Sequence, residues 1–207
     1  MAIVINQSLE DSRRGFEKIK DKDPFPEIPF SLLNSADIKD YAEKAFILSP
    51  FYLDDEYFKP ASYSIKFNGH YLYWDYENGT PTRIEETLKE GQSFILKSNS
   101  LVFIQLEPYI QLPNYLAARF NLQIKHVYRG LLLGTGPLVD PGFHGYLNIP
   151  LHNWTNKDYK IAYGEPIIWM EFSKVSPNYW HDPSIVNERK GKFVEFKRPS
   201  QNRVLND

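Results

Sequence analysis

The sequence predicts a mainly β protein, an antiparallel sandwich or barrel, and three observations predict it. From Ser62 to Phe172 the chain is a succession of short runs rich in β-branched and aromatic residues, cut by Gly, Pro and Asn at close, regular spacing. Hydrophobic residues fill 42% of the 207 positions and aromatics 15%, enough apolar surface for a sizeable core although cysteine is absent. The body holds one strong helical signature. The length exceeds what one small domain needs and falls short of what two usually take, so one compact domain with appendages is expected.

The N-terminal "MAIVINQSLEDSRRGFEKIK" has an apolar start followed by charges of both signs, the wrong order for a secretory signal. A short helix is predicted over Leu9 to Ile19. In "KDKDPFPEIPF", Pro24, Pro26 and Pro29 force an extended path. That break sets an N-terminal arm, residues 1–30, apart from the main domain, residues 31–178, with a tail over residues 179–207. "NSADIKDYAEKAF" predicts the body's helix, with Asn34 or Ser35 as cap and Ile38, Tyr41, Ala42 and Ala45 on one face.

The strands follow as "SYSIKF", "HYLYWDY", "SFILKS", "LVFIQL", "LAARFNLQI", "GLLLGT", "GYLNIPLHN", "YKIAYG" and "PIIWMEF". One of them carries Pro150 in its middle, where the missing N–H cannot join a ladder. From Tyr146 to His152 the pleat places Leu147, Ile149 and Leu151 on one face and Tyr146, Asn148, Pro150 and His152 on the other.

A net charge of -2 argues against a surface that grips nucleic acid. No apolar run approaches the roughly 18 residues of a membrane span, so no membrane partner is expected and the cytoplasm is the default location. The five histidines show no zinc-ligand spacing, and no metal site is predicted. "GLLLGTG" lacks the lysine and following helix of a phosphate loop. "DDE" at Asp54 to Glu56 is a solvated acidic loop.

An ordered set of phrases resembles one family. "LLNSADIKDYAEKAFILSPF" looks like the opening helix of dCTP deaminases, "FKPASYSIKF" resembles one of their strands, and "GPLVDPGFHGYLNIPLHN" is similar to their aspartate-Pro-Gly signature. "YGEPIIWMEF" and "GKFVEFKRPSQNR" follow at family-like spacing, the latter resembling a tail that closes over the triphosphate. The match runs from about Leu32 to Arg203, and "VDPGFHG" is its most specific phrase.

The resemblance to the dCTP deaminase and dUTPase superfamily implies a distorted jelly-roll-like β-barrel with one or two short helices. It also implies a homotrimer with sites at subunit interfaces and Mg²⁺ arriving with the nucleotide. Asp140 matches the family aspartate near the deoxyribose 3'-hydroxyl, which in the dUTPase branch helps activate water; it is the catalytic residue if the chain is active. Phe143 matches the ring that packs on the sugar and excludes a 2'-hydroxyl. Ten residues after Asp140, where the deaminases carry the glutamate that shuttles protons, stands Pro150, which can neither accept nor return one.

Other positions depart as well. The family's R-S-S-x-x-R motif falls on Gln123 to Tyr128, which offers Lys125 and His126 instead. The glutamine of a later strand falls on Met170, and the aspartate of an earlier one on Ser64. In the basic tail (Lys190, Lys192, Lys197, Arg198, Arg203), Lys197 and Arg198 are candidate phosphate contacts. Each retained residue also has a plain structural reading: Asp140 as a turn residue, Phe143 as core, the tail as a solvated terminus.

Two function classes follow. One is a protein that binds a deoxynucleoside triphosphate, or a protein partner through the N-terminal arm, without turnover. The other is a dUTPase-type pyrophosphatase with a rebuilt phosphate site.

Overall fold

The computed structural model of the chain describes residues 3–77, 79–134 and 136–176. In order they form β1 (Val4–Ile5), α1 (Leu9–Glu17), α2 (Ser35–Ala45), β2 (Leu48–Ser49), β3 (Phe51–Tyr52), a 3-10 turn (Asp55–Tyr57), β4 (Phe58–Lys59), β5 (Ser62–Glu77) and β6 (Thr80–Thr87). There follow β7 (Ser93–Leu96), β8 (Leu101–Gln111), β9 (Leu116–Leu122), α3 (Ile124–Val127), β10 (Leu131–Leu133), β11 (Leu138–Val139), β12 (His144–Asn153), β13 (Tyr159–Ala162) and β14 (Pro166–Lys174). The fold is mainly β, as predicted. A curled, half-closed barrel sheet runs β10-β12-β8-β5-β14-β9-β11, with β2 added to β8 and with β4 and β6 added to β5. Two ribbons, β1 with β3 and β7 with β13, flank it.

Strand alternation builds the interior. On β12 the predicted set Leu147, Ile149 and Leu151 is buried, facing Val102, Ile104 and Leu106 of β8 in the same core as Ile65, Phe67, Met170 and Phe172. The helix α2 closes one side. Its cap is Asn34, whose side chain accepts from the N–H groups of Ala36 and Asp37 while the Asp37 carboxylate accepts from the Asn34 N–H. The predicted face, Ile38, Tyr41, Ala42 and Ala45, is fully buried. Each such aliphatic side chain as Ile38 contributes about 1.5–3 kcal/mol of burial.

Three local features depart from the sequence expectation. "SYSIKF" and "HYLYWDY" form one strand, β5, because Gly69 at φ +93 lets the chain bulge between Phe67 and Tyr71 and then continue. The strand β6 was not expected, since "TPTRIEET" carries a proline and three charges, residues that suit an exposed edge. The one-turn helix α3 was also not expected.

The first thirty residues lie against the rest of the chain. Val4 and Ile5 pair with Tyr52 and Phe51, and Phe16 and Ser12 of α1 are buried. The Gln111 side chain donates to Ser12 Oγ at 3.1 Å. Further on, the buried Lys174 ammonium meets Asp23 at 2.6 Å and donates to the carbonyls of Phe25 (2.8 Å) and Ile28 (2.6 Å). Among the described residues no helix is long and apolar enough to cross a membrane.

Candidate functional site

The "VDPGFHG" phrase folds as a tight turn between β11 and β12. Leu138 and Val139 pair with Arg119 and Ala118 of β9. The Phe143 N–H donates to the Asp140 carbonyl at 3.2 Å, the Gly142 N–H to the Leu112 carbonyl at 2.9 Å, and the Leu112 N–H to the Phe143 carbonyl at 2.7 Å. Gly142 sits at φ +81, a conformation that favours glycine. These bonds use main-chain groups and leave the exposed Asp140 side chain outside them. Phe143 is half-buried, with its ring against the core. The turn therefore brings Asp140 and Phe143 together at one rim of the barrel.

Lys125 and His126 stand elsewhere. They lie on α3, which follows the last residue of β9, whereas the turn is paired beside its first half. From Ala118 to Leu122 alone the strand covers about 13 Å. Lys125 is exposed. His126 is fully buried, with Nδ1 at 2.9 Å from the Tyr159 hydroxyl and Nε2 at 2.7 Å from the Pro166 carbonyl. A carbonyl only accepts, so Nε2 carries the proton and Nδ1 accepts from Tyr159. Burial holds the imidazole below its ordinary pKa of 6.5, partly opposed by the Pro166 hydrogen bond, and keeps it neutral. Lys197 and Arg198 lie outside the described residues, as do Lys190, Lys192 and Arg203.

Pro150 is buried in the middle of β12, opposite Phe103 of β8. Its carbonyl accepts from the Gly134 N–H at 3.4 Å. In an antiparallel strand the N and C=O of one residue point to the same side, so the missing N–H also faces β10. The β10 ladder ends at Leu133, opposite Leu151, one residue short of Pro150. The proline thus removes no bond that the sheet makes. A side chain at Gly134 would come within 3.1 Å of the Pro150 ring.

Along the same outer face the surface is first apolar and then amide. Trp74 of β5 meets Phe103 edge-on at 5.5 Å. Leu101, His152 and Leu132 lie side by side across β8, β12 and β10, and Trp154 packs on His152 at 5.2 Å. Two residues from Pro150, Asn68 Nδ2 donates to Gln105 Oε1 at 2.7 Å, and Gln105 Nε2 to Asn148 Oδ1 at 3.4 Å.

Other family positions are internal. Gln123 Nε2 donates to Ser64 Oγ at 3.1 Å, both buried. Met170 is fully buried between Tyr63 and Phe120 in register. One carboxylate the sequence reading passed over, Glu107, lies on the Pro150 face of β8, four residues beyond Phe103. Burial pushes its pKa up, against the attraction of Lys66. At about 13 Å of strand from Phe103 it cannot stand in for a group at Pro150. The signal for it was a lone acid inside "LVFIQLEPYIQ". Among the described residues no group of three or more His, Cys, Asp or Glu could hold a metal ion.

A family model described as dCTP deaminase-like matches residues 32–175. The chain is 23% identical over 185 residues to a dUMP-forming dCTP deaminase of Persephonella marina, across 85% of this chain and 98% of that relative. It is 30% identical over 124 residues to the dCTP deaminase of Acidianus ambivalens, across 57% and 70% respectively. The solved 2'-deoxycytidine 5'-triphosphate deaminase from Agrobacterium tumefaciens superposes with a TM-score of 0.58 at 14% identity, over 70% of this chain and 48% of that one. This chain thus spans about half the length of the Agrobacterium protein, and the likeness is one of fold.

Proposed function

The chain belongs to the dCTP deaminase-like family, and from that premise we propose that it binds a deoxynucleotide between the subunits of a homotrimer without conventional dCTP deamination. The observation that carries this reading is the contrast within one phrase. The Asp140–Phe143 turn is intact and presents an exposed carboxylate beside a half-buried ring, while Pro150, where the proton shuttle would stand, is buried against Gly134. Asp140 accepts from the sugar 3'-hydroxyl, and Phe143 fills the space of a 2'-hydroxyl.

The course of β9 supports placing the site between subunits. Asp140 and Lys125 sit beyond opposite stretches of that strand, so a site that uses both takes one from each of two copies. Leu132 and Trp154, 45% and 68% exposed, supply apolar surface for a second copy to cover. Lys125 binds phosphate, His126 anchors the turn that presents it, and Lys197 and Arg198 are further phosphate contacts. In this reading Mg²⁺ arrives with the triphosphate.

A second reading, pyrophosphate hydrolysis of the dUTPase type, draws on the exposed Asp140 carboxylate, since that chemistry activates water and needs no glutamate at Pro150. The test is a melting-temperature panel of dCTP, dUTP, CTP and UTP with Mg²⁺, with ammonia and pyrophosphate read on the same mixtures. A ligand at about 100 times its Kd stabilises by about 2.7 kcal/mol. Each kcal/mol moves the midpoint by roughly 2–4 °C at this chain length. Several degrees with the deoxynucleotides, less with the ribonucleotides, is expected. Pyrophosphate release would establish the second reading. No shift with any nucleotide, or a monomer by light scattering at micromolar concentration, would remove the nucleotide site at a subunit interface.

A further inference from the structure

Away from the Asp140 turn, two neighbouring strands part company. β5 pairs with β8 as far as Leu72 opposite Phe103. Continued in register, Tyr73 would face Val102 and Trp74 would face Leu101, but no ladder forms there. Among the described residues β5 runs on to Glu77 bonded only to β6, while Leu101 and Val102 are bonded only to β12. A cleft of about 690 Å³ opens between the two edges. That volume lies within the range of small-molecule sites, about 300–1,000 Å³.

The walls have a specific chemistry. At the inner end Tyr71 and Phe94 stack at 4.2 Å and 12° and are nearly fully buried, giving a flat floor. At the mouth stand Trp74, 38% exposed, and Tyr76, 70% exposed. Asn99 and Ser100 line the opposite wall. Between the aromatic groups run two strand edges whose alternate N–H and C=O groups lack a neighbouring strand. Strand edges left open are usually blunted by proline or charge. The outer strand of the hairpin, β6, has both, in Pro81, Arg83 and Glu85, whereas the edge facing the cleft carries three aromatic residues, Tyr73, Trp74 and Tyr76, beside one charge, Asp75.

We propose that this cleft is a second ligand site, for a planar heteroaromatic ring of the nucleobase kind. A flat ring with donors and acceptors on its rim satisfies the strand edges as a missing strand would, and aromatic rings cover its faces. The site lies at the Leu101 end of β8, whereas the Asp140 turn is tied to Leu112 just past the other end. Along eleven residue steps that is about 36 Å, so the two sites are separate within a chain.

The experiment is amide hydrogen exchange of the full chain with and without adenosine or cytidine at millimolar concentration, with calorimetry on the same samples. Saturable protection of Tyr73–Tyr76 and Ser100–Val102 is expected. Trp74→Leu should weaken binding about tenfold or more, the loss typical of one base-stacking partner. Tyr76→Ser, at a largely exposed ring, provides a second variant should Trp74→Leu unsettle the hairpin. Absence of protection in these segments with both nucleosides, or protection confined to Asp140–Phe143, would overturn the proposal.

Discussion

Gln123 donates to Ser64 across the inside of the barrel at 3.1 Å, neutral to neutral, with both side chains buried. The sequence resemblance sets these positions against the first arginine of the R-S-S-x-x-R motif and the aspartate of an earlier strand. The pair joins β5 to the start of α3 and leaves neither buried polar group without a partner.

A double-mutant cycle tests that coupling. Ser64→Asp alone or Gln123→Arg alone buries an uncompensated charge and should cost about 3–5 kcal/mol. The double variant should cost clearly less than the sum of the singles. Urea denaturation measures all three; strict additivity would show that the two positions do not communicate.

His126 sets an acid-side limit on stability. Burial lowers its folded-state pKa below 6.5, while the unfolded chain takes a proton near about 6.5. Below that pH the unfolded state binds more protons than the folded one. This contribution is therefore fully present above about 6.5 and is lost as pH falls toward the depressed folded value. His126→Gln should be less stable at pH 8 by about 1–3 kcal/mol, through the disturbed Tyr159 and Pro166 bonds. It should also lose less stability than the parent between about pH 6.5 and 5, as melting temperatures across that range will report.

How much of this was legible in the sequence depends on what kind of signal each element sends. The helix α2 was readable, its cap to within one residue (Asn34 or Ser35), because its cap and its buried face are local properties of "NSADIKDYAEKA". The strand β12 was readable because Leu147, Ile149 and Leu151 alternate over one buried face. β6 was not readable, since a strand paired on one side and exposed to solvent has no apolar period to show. The one-turn α3 is too short to have a helical period, and its burial rests on a single polar residue, His126. The Asp140–Phe143 turn was legible as a phrase. That the turn pairs beside the first half of β9, away from Lys125, was not, because register between strands is a tertiary fact.

Lys174 ties the N-terminal segment to the barrel. Its buried ammonium satisfies Asp23 and two carbonyls, and Tyr41 donates to the same Asp23 at 2.9 Å. Lys174→Met leaves a shielded carboxylate without its cation and should destabilise by about 3–5 kcal/mol. Limited proteolysis should then cut first within residues 20–30; unchanged cleavage would mean that the segment is held by apolar contacts alone.

Glu107 has the opposite pH signature to His126. Its folded pKa is raised above 4.5 by burial, so stability falls as pH rises from about 4.5 through the folded value. Lys66 opposes this shift without reversing it, its ammonium being shared with the Tyr57 hydroxyl and Glu56. Glu107→Gln should melt higher than the parent at pH 7, by roughly 2 °C or more per kcal/mol regained. The difference should vanish below about pH 4.5. A lower melting point at pH 7 would show that the carboxylate makes a favourable contact after all.

The last prediction concerns the missing shuttle. Ammonia release from dCTP should be undetectable, because losing a positioned general acid and base typically costs 10²–10⁴-fold or so in rate, and the serine and arginine partners around Gln123 to Tyr128 are absent too. Pro150→Glu should not restore it. The new carboxylate would stand beside Phe103 and the Gly134 backbone, where the present ring already lies 3.1 Å from the position a Gly134 Cβ would take. A buried charge without a partner there should lower the melting temperature and raise its own pKa rather than serve dCTP. If Pro150→Glu instead released ammonia at about 1 per second, an ordinary enzymatic rate, the rest of the deaminase site would have to be present. The neutral Gln123–Ser64 pair would then be a substitute for the family's charged residues, and not the mark of their loss.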